Sequence, residues 1–249
     1  MIPIKSPKDL EIMAEGSGIL AQVMKELTER VVPGITTEEL DRLAESLILD
    51  FGGKPSFKGY EGYPAALCAS VNEQIVHAVP SDRKLEEGDI LSLDLGVFYR
   101  GFHADMAVTV PVGEISPEAR RLIRATKKAL KRGIKKSRPG NTFGDVSNTI
   151  ERHIKSQGFG VIRELCGHGI GRELHQEPQI LNYGKRGEGP KIKPRMCFCL
   201  EPMLSAGNWR IKKSEDGYGY ETEDGSLSAH FEHTLAVTEE KCLVLTRIK

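Results

Sequence analysis

Apolar positions recur at three- and four-residue steps through residues 7–30, where Ile12, Gly16, Ile19, Val23 and Leu27 share one face. That spacing predicts an amphipathic helix. A Pro-Gly turn at 33–34 follows, then Thr36 and Thr37 as N-cap candidates with Glu38 and Glu39 behind them. Leu40, Leu43, Ala44, Leu47 and Ile48 give a second helix its apolar stripe, and Gly52-Gly53 supplies a stop. The same pattern returns 106 residues later. Residues 117–137 read as a helix, Pro139, Gly140, Thr142 and Gly158 repeat Pro33, Gly34, Thr36 and Gly52, and Val146, Ile150 and Ile154 repeat the stripe. Each helix pair precedes a strand-rich stretch, 65–110 and then 160–248. Two αα-plus-sheet halves, meeting at a shared sheet with helices on one side, are therefore expected. No linker or low-complexity run divides them, so a single domain over 1–249 is expected, with halves of about 7–112 and 113–249.

Within this α+β pattern the strands carry charges where an ordinary core would not. In "LSLDLGVFYRGFHADMAVTV" (91–110), Asp94 shares its parity with Ser92 and Gly96, and Asp105 with Ala107 and Thr109. Both aspartates face away from the Leu and Val side. A hairpin turn centred on Tyr99 and Arg100 would place them directly opposite each other, with Cβ atoms roughly 5 Å apart, where like charges destabilise the pair. The second half adds Glu201 in "MCFCLEPML" and Glu232 in "SAHFEHTLAVT", each interrupting a strand-like run. Glu201 lies nearly as far past Gly140 as Asp94 lies past Gly34. Between the two pairs, "CGHGIGRELHQEP" holds His168 and His175 in a glycine-rich segment expected to be a loop, whose glycines would let backbone approach a ligand.

Four buried carboxylates cannot all ionise without cations, since each unpaired one costs several kcal/mol. Two divalent metals offset four negative charges. An oxygen-rich set with a single imidazole favours Mn, Fe or Co over a structural thiolate zinc. Such a site polarises a carbonyl and lowers the pKa of bound water, which suits amide hydrolysis.

Composition narrows the rest. Lys plus Arg equals Asp plus Glu at 35 each, so no overall field points to nucleic acid or an anionic membrane. Five cysteines at scattered spacings argue against a disulfide framework, and Cys197 and Cys199, alternating onto one strand face, are expected in the core. The N-terminus lacks an apolar targeting segment, and no 18-residue apolar run occurs, so a soluble cytoplasmic protein is expected.

Taken in order, His77 in "VNEQIVHAVP", Asp94, Asp105, His168, Glu201 and Glu232 resemble the type I methionine aminopeptidases. The resemblance covers nearly the whole chain. It implies the pita-bread fold, with pseudo-twofold-related halves around a central, mainly antiparallel sheet. It implies two divalent ions (Co, Mn, Fe, Zn or Ni) ligated by Asp94, Asp105, His168, Glu201 and Glu232, with Asp105 and Glu232 bridging. It also implies hydroxide attack on the first peptide bond, Glu201 as proton shuttle, His175 at the oxyanion and His77 at the scissile amide nitrogen or the second residue of the substrate. A methionine pocket of Phe57, Tyr60, Tyr63, Cys68, His77, Leu174 and Tyr218 follows by the same likeness, although the family usually has Phe in place of Leu174, Trp in place of Tyr218 and often His in place of Glu61. Nascent polypeptide N-termini would be the substrates and a monomer the expected state.

The same metal set occurs in proline-specific aminopeptidase P and prolidase, which usually carry an added N-terminal domain. Non-enzymatic binding proteins of this fold lose ligands that are all present here. The short N-terminus and the absence of a long insertion between His175 and Glu201 favour type I over type II. Finally, "KKALKRGIKKSR" (127–138) sets seven basic residues on one predicted helix. It reads first as a solvated face, and alternatively as a surface for ribosomal RNA.

Overall fold

The computed structural model describes residues 2–248. Its four long helices lie where the periodicity places them: α1 (Pro7–Arg30), α2 (Thr37–Asp50), α3 (Pro117–Lys136) and α4 (Phe143–Ser156). The 106-residue repeat is carried by local chemistry. Thr36 and Thr142 each close a capping box, with Glu39 and Asp145 returning a carboxylate to the cap backbone. Gly34 and Gly140 adopt φ of 94° and 88°, and Gly52 and Gly158 adopt 78° and 80°, a left-handed backbone that glycine reaches without strain. Each capping threonine also bridges an antiparallel lysine, Thr36 to Lys84 and Thr142 to Lys191.

Among the described residues every strand pairing is antiparallel, and the strands group into four sheets rather than one continuous ladder. In the first half, Ile90–Tyr99 is flanked by Leu67–Val71 and Phe102–Pro111. In the second, Cys166–Gly169, Gln176–Leu181, Cys197–Leu200, His233–Val237 and Cys242–Val244 form a five-stranded sheet. Helices α1 and α2 bury Leu20, Met24, Leu27, Leu40 and Ile48 against Leu67, Leu91, Leu93 and Leu95. Helices α3 and α4 do the same against Phe198, Leu200, Leu204 and Leu235. The acidic 214–226 segment lies in a hairpin that pairs Ile211–Lys213 with Tyr220–Thr222.

The central hairpin differs in register from the sequence expectation. Its two-residue turn is Arg100-Gly101, both with positive φ (48° and 90°), and Tyr99 pairs with Phe102. This is the left-handed turn whose twist suits a tight hairpin. Asp94 therefore sits opposite Ala107 and Asp105 opposite Gly96. The aspartates are diagonal neighbours on one face rather than a direct pair. A shift of two residues preserves facing, so both still point the same way.

Besides the antiparallel pairing of Gln74–Val76 with Tyr220–Thr222, the halves are joined beneath the site by two threonine hydroxyls. Thr234 Oγ1 accepts from the Asp105 N–H and donates to the Asp105 carbonyl, both at 2.8 Å. Thr109 Oγ1 does the same with the N–H and carbonyl of His230, again at 2.8 Å. Between them the Glu232 N–H donates to the Ala107 carbonyl at 2.8 Å. All three links share one antiparallel register, so the seam runs directly beneath Asp105 and Glu232. Replacing Thr234 by Val keeps the volume but leaves a buried N–H and a buried carbonyl without partners. Urea unfolding of the metal-free protein should show a loss of about 2–3 kcal/mol; a change under about 0.5 kcal/mol would mean the seam bonds contribute nothing net.

Candidate metal centre

Five ligand-type side chains converge where the seam meets the two sheets. Asp94 and Asp105 come from the central hairpin, and His168 from Cys166–Gly169. Glu201 lies immediately after Cys197–Leu200, and Glu232 in the break between Ser228–His230 and His233–Val237. The two glutamates thus stand at strand ends, not inside strands, which frees them from pleat alternation. His168 is on a strand, not in a loop. The glycines around it serve close packing of strands: a Cβ on Gly167 would lie 2.5 Å from the Cys199 carbonyl oxygen, and one on Gly169 would lie 2.1 Å from that of Glu177.

Geometry and electrostatics both favour cation binding. His168 Nδ1 donates to the Gly169 carbonyl at 3.0 Å, which leaves the Nε2 lone pair free. That nitrogen stands 3.5 Å from Glu201 Oε1, 3.8 Å from Glu232 Oε1 and 4.0 Å from Asp105 Oδ2. Asp94, Asp105, Glu201 and Glu232 are all buried, and Asp94 Oδ1 and Glu232 Oε1 have no hydrogen-bond partner. Burial lifts the Asp94 carboxyl to about 7. Burial, reinforced by the neighbouring carboxylates, holds Asp105, Glu201 and Glu232 well above the usual range. Burial also drives His168 down to about 3, so its imidazole is neutral and able to bind metal. The orphaned Glu232 Oε1 facing a free imidazole nitrogen fits a divalent ion, and Asp94, Asp105 and Glu232 place ligand atoms within 4.8 Å of one another.

These groups open into a cavity of about 900 Å³ whose walls include Phe57, Tyr60, Tyr63, Cys68, His77, Leu174, His175 and Tyr218. All thirteen residues singled out from the sequence line this one space. Cys68 pairs with Asp94 across the sheet. Tyr63 Oη reaches the carbonyls of Leu67 and Ala78 at 3.0 Å each, and Tyr218 Oη donates to the Gly62 carbonyl at 2.9 Å. His77 lies just beyond Gln74–Val76 with φ 59°, so it leaves the strand and turns its ring edge-on to Tyr220. His175 Nδ1 and Tyr60 Oη are 3.0 Å apart. Cys197 and Cys199 pack in an apolar cluster with Ile170 and Leu174.

One buried group of the site escaped the sequence reading. His230 is fully buried, and its Nε2 lies 3.8 Å from Glu201 Oε2 and 3.9 Å from Glu232 Oε2. Its signal in the sequence is a place two residues before Glu232, on the same strand parity, hidden by the more familiar "FEHT".

Comparison with known proteins agrees with this geometry. Residues 11–239 match the profile of metallopeptidase family M24. The methionine aminopeptidase of Clostridium perfringens is 45% identical over 249 residues, covering all of both chains, and methionine aminopeptidase 1 of Bacillus subtilis is 43% identical over 248, again covering both. The crystal structure of the Thermotoga maritima methionine aminopeptidase superposes with a TM-score of 0.98 at 44% identity, covering 99% of this chain and 100% of that one. The prolidase of Pyrococcus furiosus gives 0.81 at 24% identity, covering 99% of this chain and 66% of that one, a likeness of fold alone. With the pita-bread fold in place and full-length relatives at this identity, the chain belongs to metallopeptidase family M24.

Proposed function

We infer that this protein removes the N-terminal methionine from polypeptides whose second residue is small, by hydrolysing the first peptide bond. The observation that carries this reading is the convergence of four buried carboxylates and a neutral imidazole in a cavity with aromatic, thiol and aliphatic walls. The full-length relatives named methionine aminopeptidase support the same activity.

Asp94, Asp105, His168, Glu201 and Glu232 would hold two divalent ions. Ions bound there polarise a carbonyl and lower the pKa of water. Glu201 takes the proton released in the attack and passes it to the leaving amine. His175 donates a hydrogen bond to the oxyanion, and His77 contacts the scissile amide. Phe57, Tyr60, Tyr63, Cys68, Leu174 and Tyr218 receive the methionine side chain. Oxygen-rich ligation suits Mn, Fe or Co, with Zn and Ni as further candidates.

The substrates in this reading are nascent chains, met in the cytoplasm by a monomer. Among the described residues no helix is long and apolar enough to cross a membrane. Helix α3 supplies a contact for the ribosome. Lys127, Lys128, Lys131, Arg132, Lys135 and Arg138 are exposed, Lys136 is partly so, and none has a carboxylate within 4.0 Å among the described residues. Lys128, Lys131 and Lys135 recur at three- and four-residue steps, a row of lysines with Cβ atoms roughly 5–6 Å apart that can follow an RNA backbone.

Three measurements test these statements. Metal-loaded enzyme should cleave Met-Ala-Ser and leave Xaa-Pro peptides intact, and Asp105→Ala should lose metal and activity together; full metal occupancy in that variant would refute the ligand assignment. The pH dependence has a definite sign. Because Asp94 is raised from 3.8 to about 7 in the folded chain, its contribution to stability is full below 3.8 and is lost as pH rises through 7. Between pH 6.5 and pH 8 the melting temperature of chelator-treated wild type should therefore shift further downward than that of chelator-treated Asp94→Asn, a comparison that cancels the opposite contribution of the buried histidines, which take up protons only in the unfolded chain. Added divalent metal should reverse the trend. Reversing the charges of Lys131, Lys135 and Lys136 should leave tripeptide cleavage unchanged and reduce the salt slope of ribosome binding by about 1 per lysine. An unaltered slope would remove α3 from the contact.

A further inference from the structure

His230 lies beside the centre and has no role in the mechanism above. Its backbone is pinned at both ends, the N–H and the carbonyl each bonded to Thr109 Oγ1 at 2.8 Å, so the ring has a fixed origin. Its side chain is 1% exposed, and neither ring nitrogen has a hydrogen-bond partner. A neutral imidazole offers one donor and one acceptor, and burying both unsatisfied is costly unless something else occupies that space. The carboxylates explain what. His168 Nε2 faces Oε1 of Glu201 and of Glu232, at 3.5 and 3.8 Å, whereas His230 Nε2 faces the other oxygen, Oε2, of the same two residues, at 3.8 and 3.9 Å. These separations are too long for hydrogen bonds. They suit donors sharing one ion, because ligand atoms about 2.1 Å from a metal can lie up to about 4.2 Å apart. Glu201, His230 and Glu232 accordingly place one ligand atom each within 4.8 Å of the others.

We propose that His230 is a sixth ligand side chain of the centre, binding a divalent ion through Nε2 together with Glu201 and Glu232. The centre then has an imidazole on either side of its glutamate pair. A second nitrogen donor tilts selectivity away from Mg and Mn and toward Zn, Ni, Co and Fe, for which imidazole is the better ligand.

The inference rests on the metallopeptidase reading, and the experiment separates the two. Wild type, His230→Gln and His230→Ala are stripped with chelator, confirmed folded by circular dichroism, and titrated with Zn(II), Mn(II) and Co(II). Both variants should bind Zn(II) more than about tenfold more weakly, with a smaller loss for Mn(II), and should show an altered Co(II) visible spectrum. Glutamine retains a hydrogen-bond donor but is a poor ligand. If His230→Gln keeps wild-type affinity and spectrum while His230→Ala loses them, His230 is a hydrogen-bonding support and the proposal is overturned. Unchanged binding in both variants overturns it as well. If wild type binds none of the three metals, the metallopeptidase reading itself falls.

Discussion

Repulsion among four buried carboxylates is the constraint around which this molecule is organised. Asp94, Asp105, Glu201 and Glu232 are each nearly inaccessible to water, and without a cation the chain can keep them only by raising their proton affinity. A protonated cage is stable but inert. The same groups, ionised around divalent metal as proposed, would be stable and reactive. Folding and catalysis therefore draw on one electrostatic arrangement, and divalent metal converts between its two forms.

The rest of the architecture can be understood as what holds that arrangement together. Two helix pairs with matching caps press two apolar clusters onto the backs of the sheets. The polar faces are left to meet at the seam. Threonine hydroxyls there stand in for missing backbone partners, and they do so at Asp105 and His230, beside the charges. Tyr63 and Tyr218 tie the opposite wall of the cavity to main-chain carbonyls. The site is thus rigid where charge is concentrated.

Much of this was legible in the sequence because it follows from periodicity. Helical stripes, capping residues and paired Pro-Gly turns located all four helices, and parity alone put Asp94 and Asp105 on one face. What periodicity cannot supply is the pairing of one strand with another. The hairpin turn falls at Arg100-Gly101, not Tyr99-Arg100, because positive φ is easiest where a glycine stands second, and that moved the aspartates from opposite to diagonal. His168 was expected in a loop because glycine usually breaks strands, yet Gly167 and Gly169 are there to let neighbouring carbonyls pass. His230 was overlooked for a related reason. Its significance depends on which oxygens of Glu201 and Glu232 it faces, a fact of three dimensions only.

The threonine seam has a consequence beyond stability. Each half contributes two of the four carboxylates, and neither half alone holds the proposed ligand set. An ion held by the proposed ligands would therefore be a clasp between the two halves, tying Asp94 and Asp105 to Glu201 and Glu232 across the boundary that Thr109 and Thr234 stitch. On that assignment, loosening the seam would also weaken the hold on the metal, so the ion proposed as reagent would act as a rivet as well.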